Sequence, residues 1–275
     1  MNIKLLAADM DGTLLKEDNT ISPRTQKVIR QWIDSGLLFV PCTGRPLCGL
    51  SSVTELFDED MPFIIHHGAM AIMSRSKKPL FSVTLHADLV MEIYNLGEQK
   101  KLPMAIFCGE ELYFNMECEP LRSYEKAVTA SGTVADRQKI EQIARQGVID
   151  IIWMDYPENI PAHQNEMQSH FGDRLNCHAS GKWLFEFVAK EATKATGLEK
   201  LSSYLSISQN EIAAIGDSYN DISMLKYASY SIAMGNANDD IKKVCDHVTL
   251  TNDQDGVAIW MEDYMQKIKS FAIFK

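Results

Sequence analysis

A buried strand, a helix and a second buried strand follow one another near each end of the chain, and this pattern constrains the fold most strongly. Near the start, the apolar residues 3–8 and 37–41 predict strands, and the helix between them begins at Ser22-Pro23. Near the end, residues 212–215 and 231–234 predict strands separated by a short helix. Continuous apolar runs are typical of parallel strands, and the intervening helices form crossovers between them. The sequence therefore predicts an α/β fold with a parallel sheet.

The residues between these two blocks follow a different pattern. Residues 105–115, 149–154 and 183–188 alternate like antiparallel strands, and residues 139–145 predict a helix. We interpret this region as an inserted α+β module. The 275 residues also suit two domains better than one. The predicted division is a core of residues 1–83 and 188–275 and an inserted domain of residues 84–187.

The charge and composition of the chain exclude several kinds of partner. Lys and Arg number 27 against 37 Asp and Glu, and the net charge of −10 repels nucleic acid and acidic membrane surfaces. The six cysteines show no C-x-x-C spacing, and the acidic N-terminal region differs from a signal peptide. We therefore expect a cytoplasmic protein that binds a small molecule. No pattern predicts its oligomeric state.

Two carboxylates follow the first predicted strand. The stretch Asp9-Met10-Asp11-Gly12-Thr13 comes directly after the apolar run, and ligands of open parallel sheets bind beyond the carboxyl ends of the strands. One interpretation is that Asp9 and Asp11 only cap a turn and the helix behind it, as Asp often does. Polar motifs after other core strands favour a functional site instead.

Three further motifs are predicted near the same sheet edge. Thr43-Gly44-Arg45 follows the second core strand, Asp217, Asn220 and Asp221 follow a later one, and Lys194 begins an apolar-striped helix. Hydroxyl, unhindered amide, guanidinium and ammonium groups all donate hydrogen bonds to phosphate. Taken singly, Thr43-Gly44 is more typical of an ordinary turn, Asp217 or Asn220 of a helix cap, and Lys194 of a solvated side chain. Together they predict a site for a phosphorylated ligand.

The clustered carboxylates also predict a metal ion. Neighbouring carboxylates repel one another and a phosphate dianion, so the cluster is costly without a hard cation. Mg²⁺ prefers one or two carboxylates plus a phosphate oxygen, which Asp9 and Asp217 suit. Asp9 can then attack phosphorus and form an aspartyl-phosphate, while Asp11 protonates the leaving group and later activates water. The sequence thus predicts a Mg²⁺-dependent phosphatase.

These four motifs, in this order, resemble those of the haloacid dehalogenase superfamily of phosphohydrolases. The matching residues are Asp9-Met10-Asp11-Gly12-Thr13, Thr43-Gly44-Arg45, Lys194 and Gly216-Asp217-Ser218-Tyr219-Asn220-Asp221. The long insert resembles the type IIB cap, and "AMGNA" and "TNDQDGVA" near the C-terminus resemble the Cof-type subgroup. The resemblance covers essentially the whole chain.

The resemblance implies a fold, a substrate class and a set of site residues. The fold would be a Rossmann-like parallel-sheet core with an inserted α/β cap, and the substrates would be small phosphorylated metabolites such as sugar phosphates. Asp9 would be the nucleophile and Asp11 the acid and base. The Mg²⁺ ligands would be Asp9, the backbone carbonyl of Asp11, and Asp217, with Asp221 nearby through water. The phosphate would be held by Thr43, Gly44, Lys194, Asn220 and the backbone amide of Met10.

The chain departs from the family at one position beside this site. The family commonly has Asn-Gly-Ala after the third core strand, whereas this chain has His66-His67-Gly68-Ala69. His67 can donate to a ligand, but a histidine packed and satisfied at a strand end is the commoner case. In the cap, His178, Lys182, Trp183 and Glu186 lie on a predicted hairpin that can face the site.

Two other functions remain open at the level of sequence, and a third chemistry is disfavoured. A phosphomutase would keep the aspartyl-phosphate but return the phosphoryl group to a sugar. A receiver-like signalling module also groups Asp, Thr and Lys at a sheet edge, although the long insert argues against it. A cysteine nucleophile at Cys42 is disfavoured, because only Arg45 lies nearby in sequence to lower its pKa.

Overall fold

The computed structural model describes residues 2–273. The strands are β1 (Leu5–Ala8), β2 (Leu38–Pro41), β3 (Pro62–Ile65), β4 (Met70–Met73), β5 (Pro79–Ser82), β6 (Met104–Cys108), β7 (Glu111–Phe114), β8 (Gly132–Val134), β9 (Val148–Met154), β10 (Leu175–Ala179), β11 (Leu184–Ala189), β12 (Ile212–Gly216), β13 (Tyr230–Ala233) and β14 (His247–Val248). The α-helices are α1 (Pro23–Asp34), α2 (Ser51–Thr54), α3 (Ala87–Lys100), α4 (Glu119–Ala127), α5 (Arg137–Gln146), α6 (Ile160–Phe171), α7 (Lys194–Tyr204), α8 (Ile222–Tyr227), α9 (Asp239–Val244) and α10 (Gly256–Ile273).

The central sheet is parallel and has the strand order β14-β13-β12-β1-β2. β1 lies inside it, with Leu5 opposite Ile212 of β12 on one side and opposite Leu38 of β2 on the other. A bridge between Cys42 and Ile64 places β3 beside the end of β2. The α/β prediction is therefore confirmed. Because β1, β2 and β12 are parallel neighbours, the residues that follow them meet at one edge of the sheet.

Every residue of β1 is buried, because helices cover both faces of this sheet. Leu6 packs in a cluster with Trp32 of α1 and Trp260 of α10. Leu5 points to the other face and packs in a cluster with Leu201 of α7. This alternation explains the continuous apolar run, since a strand between two helical layers needs apolar side chains at consecutive positions.

Local signals place α1 as predicted. Ser22 is its N-cap, and the Ser22 hydroxyl accepts a hydrogen bond from the backbone N–H of Thr25 at 3.0 Å. The helix ends at Asp34, and Gly36 adopts a φ of +78° in the turn that leads into β2. A positive φ is easily adopted by glycine, which explains its place there.

A second sheet, with strand order β10-β11-β9-β6-β7-β8, forms the inserted region. All its strand pairs are antiparallel except β7 with β8. Ile151 and Trp153 of β9 pack in a cluster with residues of α3 and α5. Asp150, on the alternate side of β9, hydrogen-bonds to His66 of the core, so this second face is turned towards the core. β11 continues to Ala189, two residues into the predicted core, and the domain boundaries at residues 83 and 188 stay a prediction.

Within residues 2–273, no helix has both the length and the apolar character needed to cross a membrane.

Candidate active site

Asp9 lies directly beyond the end of β1. Its backbone N–H donates to the carbonyl of Ile215 at 3.0 Å, which continues the pairing with β12 past the strand end. Its residue surface is only 4% exposed. Burial, together with the nearby Asp221 carboxylate, raises the pKa of Asp9 well above its usual value. An ionised Asp9 therefore depends on positive charge close to it.

Lys194 supplies positive charge to Asp9. It is the first residue of α7, whose N-cap Thr193 holds it at the start of the helix. The ammonium donates to Asp9 Oδ1 at 2.5 Å and to Asp221 Oδ1 at 2.6 Å, and the residue is 2% exposed. Burial alone would lower the pKa of Lys194, but the two carboxylates outweigh burial and raise it above its usual value. Lys194 is therefore a permanent buried cation.

Asp221 organises the loop after β12. Its side chain is fully buried, and its Oδ2 accepts hydrogen bonds from the backbone N–H groups of Asp217 at 3.0 Å and Ser218 at 2.9 Å. Because Oδ1 already accepts from Lys194, both oxygens of this carboxylate are engaged. Asp221 therefore joins the lysine to the loop that presents Asp217.

Asp217 lies at the mouth of the same cluster. Its Oδ1 accepts a hydrogen bond from the hydroxyl of Thr13 at 2.8 Å. Burial raises its pKa above the usual value. A Cβ added to Gly12 would lie only 2.5 Å from Asp217 Oδ2, and Gly12 has a φ of +78°. Glycine at position 12 is therefore what allows the first and fourth motifs to approach each other.

The grouped carboxylates fit a hard divalent cation. Asp9, Asp217 and Asp221 each offer an oxygen, and these oxygens lie within 4.8 Å of one another. Lys194 is the cation that contacts two of these carboxylates, so the cluster retains negative charge. All the donors are oxygens, the type that Mg²⁺ prefers. Since Asp221 already uses both oxygens, Asp9 and Asp217 are better placed to bind the ion.

Asp11 does not join this cluster through its side chain. Its carboxylate is half exposed and forms an ion pair with Arg45, whose Nε donates to Asp11 Oδ2 at 2.9 Å. Arg45 also donates to Asn19 Oδ1 at 3.2 Å. The structure thus places the guanidinium, which the sequence suggested as a phosphate donor by type, on the second carboxylate of the first motif.

The predicted phosphate-binding residues surround the space in front of Asp9. Thr43 and Gly44 follow β2, and the Thr43 hydroxyl accepts from the Arg45 N–H at 3.1 Å. Asn220 is exposed in the turn after β12 and lines the same cavity. Met10 follows Asp9 with its side chain fully buried. Their assignment to phosphate stays a prediction.

His67 packs directly against Gly44. A Cβ added to Gly44 would lie 2.3 Å from His67 Cε1, so only glycine leaves room for the imidazole. Both His66 and His67 have positive φ values, of 47° and 56°. Such values are uncommon for residues other than glycine and indicate a backbone held in place by its surroundings.

Contacts from the cap hold this strained turn. His67 Nε2 lies 2.7 Å from Glu186 Oε2 and 3.3 Å from Nε2 of His178. His67 is buried and hydrogen-bonded, in line with a packed and satisfied histidine, yet it also lines the cavity. Beside it, His66 Nδ1 lies 3.1 Å from Asp150 Oδ2 in a fully buried contact. Burial lowers the pKa of His66 to about 4 and raises that of Asp150 well above its usual value.

A cavity of about 1400 Å³ lies between the core and the cap. It is lined by Asp9 and Thr43 from the core and by His178 and Glu186 from the cap hairpin. The other two hairpin residues that the sequence singled out lie in the turn between β10 and β11, where Trp183 is 53% exposed. The site is therefore bounded by both parts of the chain.

Sequence reasoning missed Asp150. It is the lone charged residue in β9, whose sequence is VIDIIWM and whose residues are all buried. A single carboxylate in an otherwise apolar strand was the available signal, because a buried charge needs a partner. The partner, His66, is 84 residues away in sequence.

Cys42 has no character of a nucleophile. It is buried in the core cluster behind the site. Burial raises the pKa of its thiol to about 12, so it is not a thiolate at neutral pH. The buried environment of Cys42 agrees with its prediction as a structural thiol.

Comparisons with known proteins identify the family of the chain. The model of the haloacid dehalogenase-like hydrolase family matches residues 6–261. A putative phosphatase from Haemophilus influenzae is 29% identical over 265 residues, which are 96% of this chain and 98% of that protein. The Bacillus subtilis 5-amino-6-(5-phospho-D-ribitylamino)uracil phosphatase YitU is 28% identical, with 94% of this chain and 97% of that protein covered. A haloacid dehalogenase-like hydrolase structure from Bacteroides thetaiotaomicron has a TM-score of 0.83 at 25% identity, covering 96% of this chain and 100% of that one.

Proposed function

The chain belongs to the haloacid dehalogenase-like hydrolases and is a phosphatase, and we propose that it hydrolyses small phosphorylated metabolites, with Mg²⁺, through an aspartyl-phosphate on Asp9. One observation carries the proposal. The Asp9 carboxylate is buried at the end of β1, and its Oδ1 is bound by the Lys194 ammonium at 2.5 Å beside Asp217. A buried carboxylate that accepts a hydrogen bond from a neighbouring cation, at the mouth of a metal-binding cluster, is placed to act as a nucleophile.

In the first half of the reaction, an Asp9 oxygen attacks phosphorus as the bond to the leaving oxygen breaks. Asp11 donates a proton to the departing alkoxide. In the second half, Asp11 removes a proton from water, the water oxygen attacks phosphorus, and phosphate leaves with Asp9 restored. Asp11 takes up a proton only after its carboxylate leaves Arg45. Arg45 contacts both oxygens of Asp11, but the pair is partly exposed to solvent, which screens it and allows the carboxylate to leave.

The other site residues position the phosphoryl group. Thr43, the backbone amides of Gly44 and Met10, and Asn220 are placed to donate to its oxygens, while Lys194 offsets its charge. A Mg²⁺ ion held by Asp9, Asp217 and the Asp11 carbonyl would neutralise phosphate charge and so lower the repulsion between the nucleophile and the substrate.

Sugar phosphates and related polyol phosphates are the proposed substrate class. The cap face over the site carries imidazole and carboxylate groups, which hydrogen-bond well to hydroxyl groups. A relative named as a phosphatase of a phosphoribitylamino compound supports the same class. We also propose that the protein is cytoplasmic.

The test measures phosphate release from an aryl phosphate and from a panel of sugar and polyol phosphates, with Mg²⁺ and with a chelator. We expect release only with Mg²⁺, and its loss in Asp9→Asn. The matched control is Asp34→Asn, the same chemical change at an exposed position on α1. Acid-quenched enzyme should carry a phosphoryl group on the peptide that contains Asp9. Unchanged turnover in Asp9→Asn would refute the assignment, and isomerised sugar phosphate without released phosphate would indicate a phosphomutase.

A further inference from the structure

Three side chains from separate strands and turns converge at the boundary of core and cap. His67 comes from the turn after β3, His178 from β10 and Glu186 from β11. One donor atom from each lies within 4.8 Å of the others. His178 and Glu186 are directly opposite one another in the β10–β11 pair, so both project from the same face of the cap sheet.

The separation of the two Nε2 atoms matches that of metal ligands, and the rings, whose centroids lie 4.3 Å apart edge to face, would turn slightly to aim both nitrogens at one ion. Zinc–nitrogen bonds of about 2.0–2.1 Å at a tetrahedral angle place two nitrogens about 3.3–3.4 Å apart. The Nε2 atoms of His67 and His178 are separated by 3.3 Å. The Glu186 oxygen, 2.7 Å from His67 Nε2, is slightly too close. It would have to move outward by roughly half an ångström to complete such a site.

The donor types also suit metal binding. Imidazole nitrogen and carboxylate oxygen are both ligands of Zn²⁺, and each binds in its deprotonated form.

We propose that His67, His178 and Glu186 bind one transition-metal ion of the Zn²⁺ type, at a site separate from the carboxylate cluster around Asp9. Two imidazoles and one carboxylate favour Zn²⁺, Co²⁺ or Ni²⁺ over Mg²⁺, which prefers oxygen donors. All three residues line the cavity between core and cap, so a fourth coordination position is open to a ligand in that cavity. This proposal does not depend on the phosphatase mechanism.

Binding would join the two parts of the chain. His67 belongs to the core and the other two ligands belong to the cap, so the ion bridges them directly. Opening of the cap would then require loss of at least one metal bond. We therefore expect bound Zn²⁺ to slow the entry of substrate into the cavity and the release of product from it.

The first experiment measures Zn²⁺ binding by titration calorimetry on the full chain in excess Mg²⁺. Asp217→Asn is used as the parent protein, so that the carboxylate cluster contributes little to Zn²⁺ binding. We expect one Zn²⁺ per chain. His178→Gln and Glu186→Gln should each weaken binding by about 100-fold or more, because a ligand matters at least as much as an outer-shell partner. Lys182→Gln, in the turn of the same hairpin, is the matched control and should bind normally.

The second experiment needs no substitution in the cluster. Co²⁺ added to the parent protein should give the intense visible absorption of a four-coordinate site, and Zn²⁺ should displace it. Equal Zn²⁺ affinity in His178→Gln and in the control would overturn the proposal, as would the weak spectrum of six-coordinate Co²⁺. In either case the three side chains would form only a hydrogen-bonded contact between core and cap.

Discussion

Replacing Asp221 with asparagine tests whether this residue holds the site together. Asp221 accepts from Lys194 through one oxygen and from two backbone N–H groups, of Asp217 and Ser218, through the other. Asparagine offers one oxygen and one NH₂ group, and the NH₂ group cannot accept a hydrogen bond. In either orientation of the amide, a donor therefore faces another donor.

The expected cost follows from this geometry. If the amide oxygen stays on Lys194, the two backbone N–H groups lose a charged acceptor, at about 1.5–3 kcal/mol for each hydrogen bond. If the oxygen stays on the backbone, Lys194 loses one of its two carboxylate partners and keeps Asp9, at about 1.5–3 kcal/mol for the lost charged hydrogen bond. Both side chains are almost completely buried, at 1% for Lys194 and 0% for Asp221, so solvent screens the pair little. We expect a loss of about 1.5–3 kcal/mol or more in the free energy of unfolding.

The assay is urea unfolding at pH 7 in the presence of a chelator, followed by circular dichroism. Asp217→Asn is the matched control, because it makes the same chemical change in the same cluster. Burial raises the pKa of Asp217. At pH values above the usual pKa of Asp, ionisation of this carboxyl therefore lowers the stability of the fold. Its neutral replacement should leave stability unchanged or slightly higher. A loss below about 1 kcal/mol in Asp221→Asn, or equal losses in both variants, would refute the reasoning.

Three further changes have distinct expected outcomes. Gly44→Ala would place a Cβ 2.3 Å from His67, so kcat/KM should fall about tenfold or more, and the double variant with His67→Ala should recover part of the loss. Ser22→Ala removes the N-cap of α1 and should lower the free energy of unfolding in urea by about 1 kcal/mol; an unchanged midpoint would contradict this. Burial alone would raise the pKa of Asp155, but hydrogen bonds from neighbouring groups outweigh it and lower the pKa. A lowered pKa stabilises the fold at pH values above the usual pKa of Asp, and this stabilisation is lost as the pH falls. The difference in the free energy of unfolding between the wild type and Asp155→Asn should therefore shrink below about pH 4, and a constant difference would contradict the assignment.

The core sheet and the position of its first carboxylate were predictable from sequence because both depend on local patterns. β1 is a run of consecutive apolar residues, which is typical of a strand between two helical layers. Once the strand is placed, Asp9 must lie at its carboxyl end. The N-cap at Ser22 was predictable for the same reason, since a cap acts within one helical turn.

The partners of the charged groups were only partly predictable. Lys194 was expected to reach a phosphate beside Asp9, and the structure shows its ammonium bonded to both Asp9 and Asp221. The residues of the Asp11–Arg45 ion pair are 34 positions apart, and both were assigned to other partners. Charged side chains are long and can reach several groups, so their pairing depends on the packed geometry.

Carboxylates, a lysine and small polar residues were predictable at one edge of a parallel sheet, because strand direction fixes where consecutive residues emerge. The groups that face them depend on how the cap packs against the core. His67 meets Glu186 across 119 residues of sequence, and this contact exists because the cap sheet turns one face towards the core. Strand periodicity predicts that a sheet has two faces, but burial against the rest of the fold selects which face covers the site.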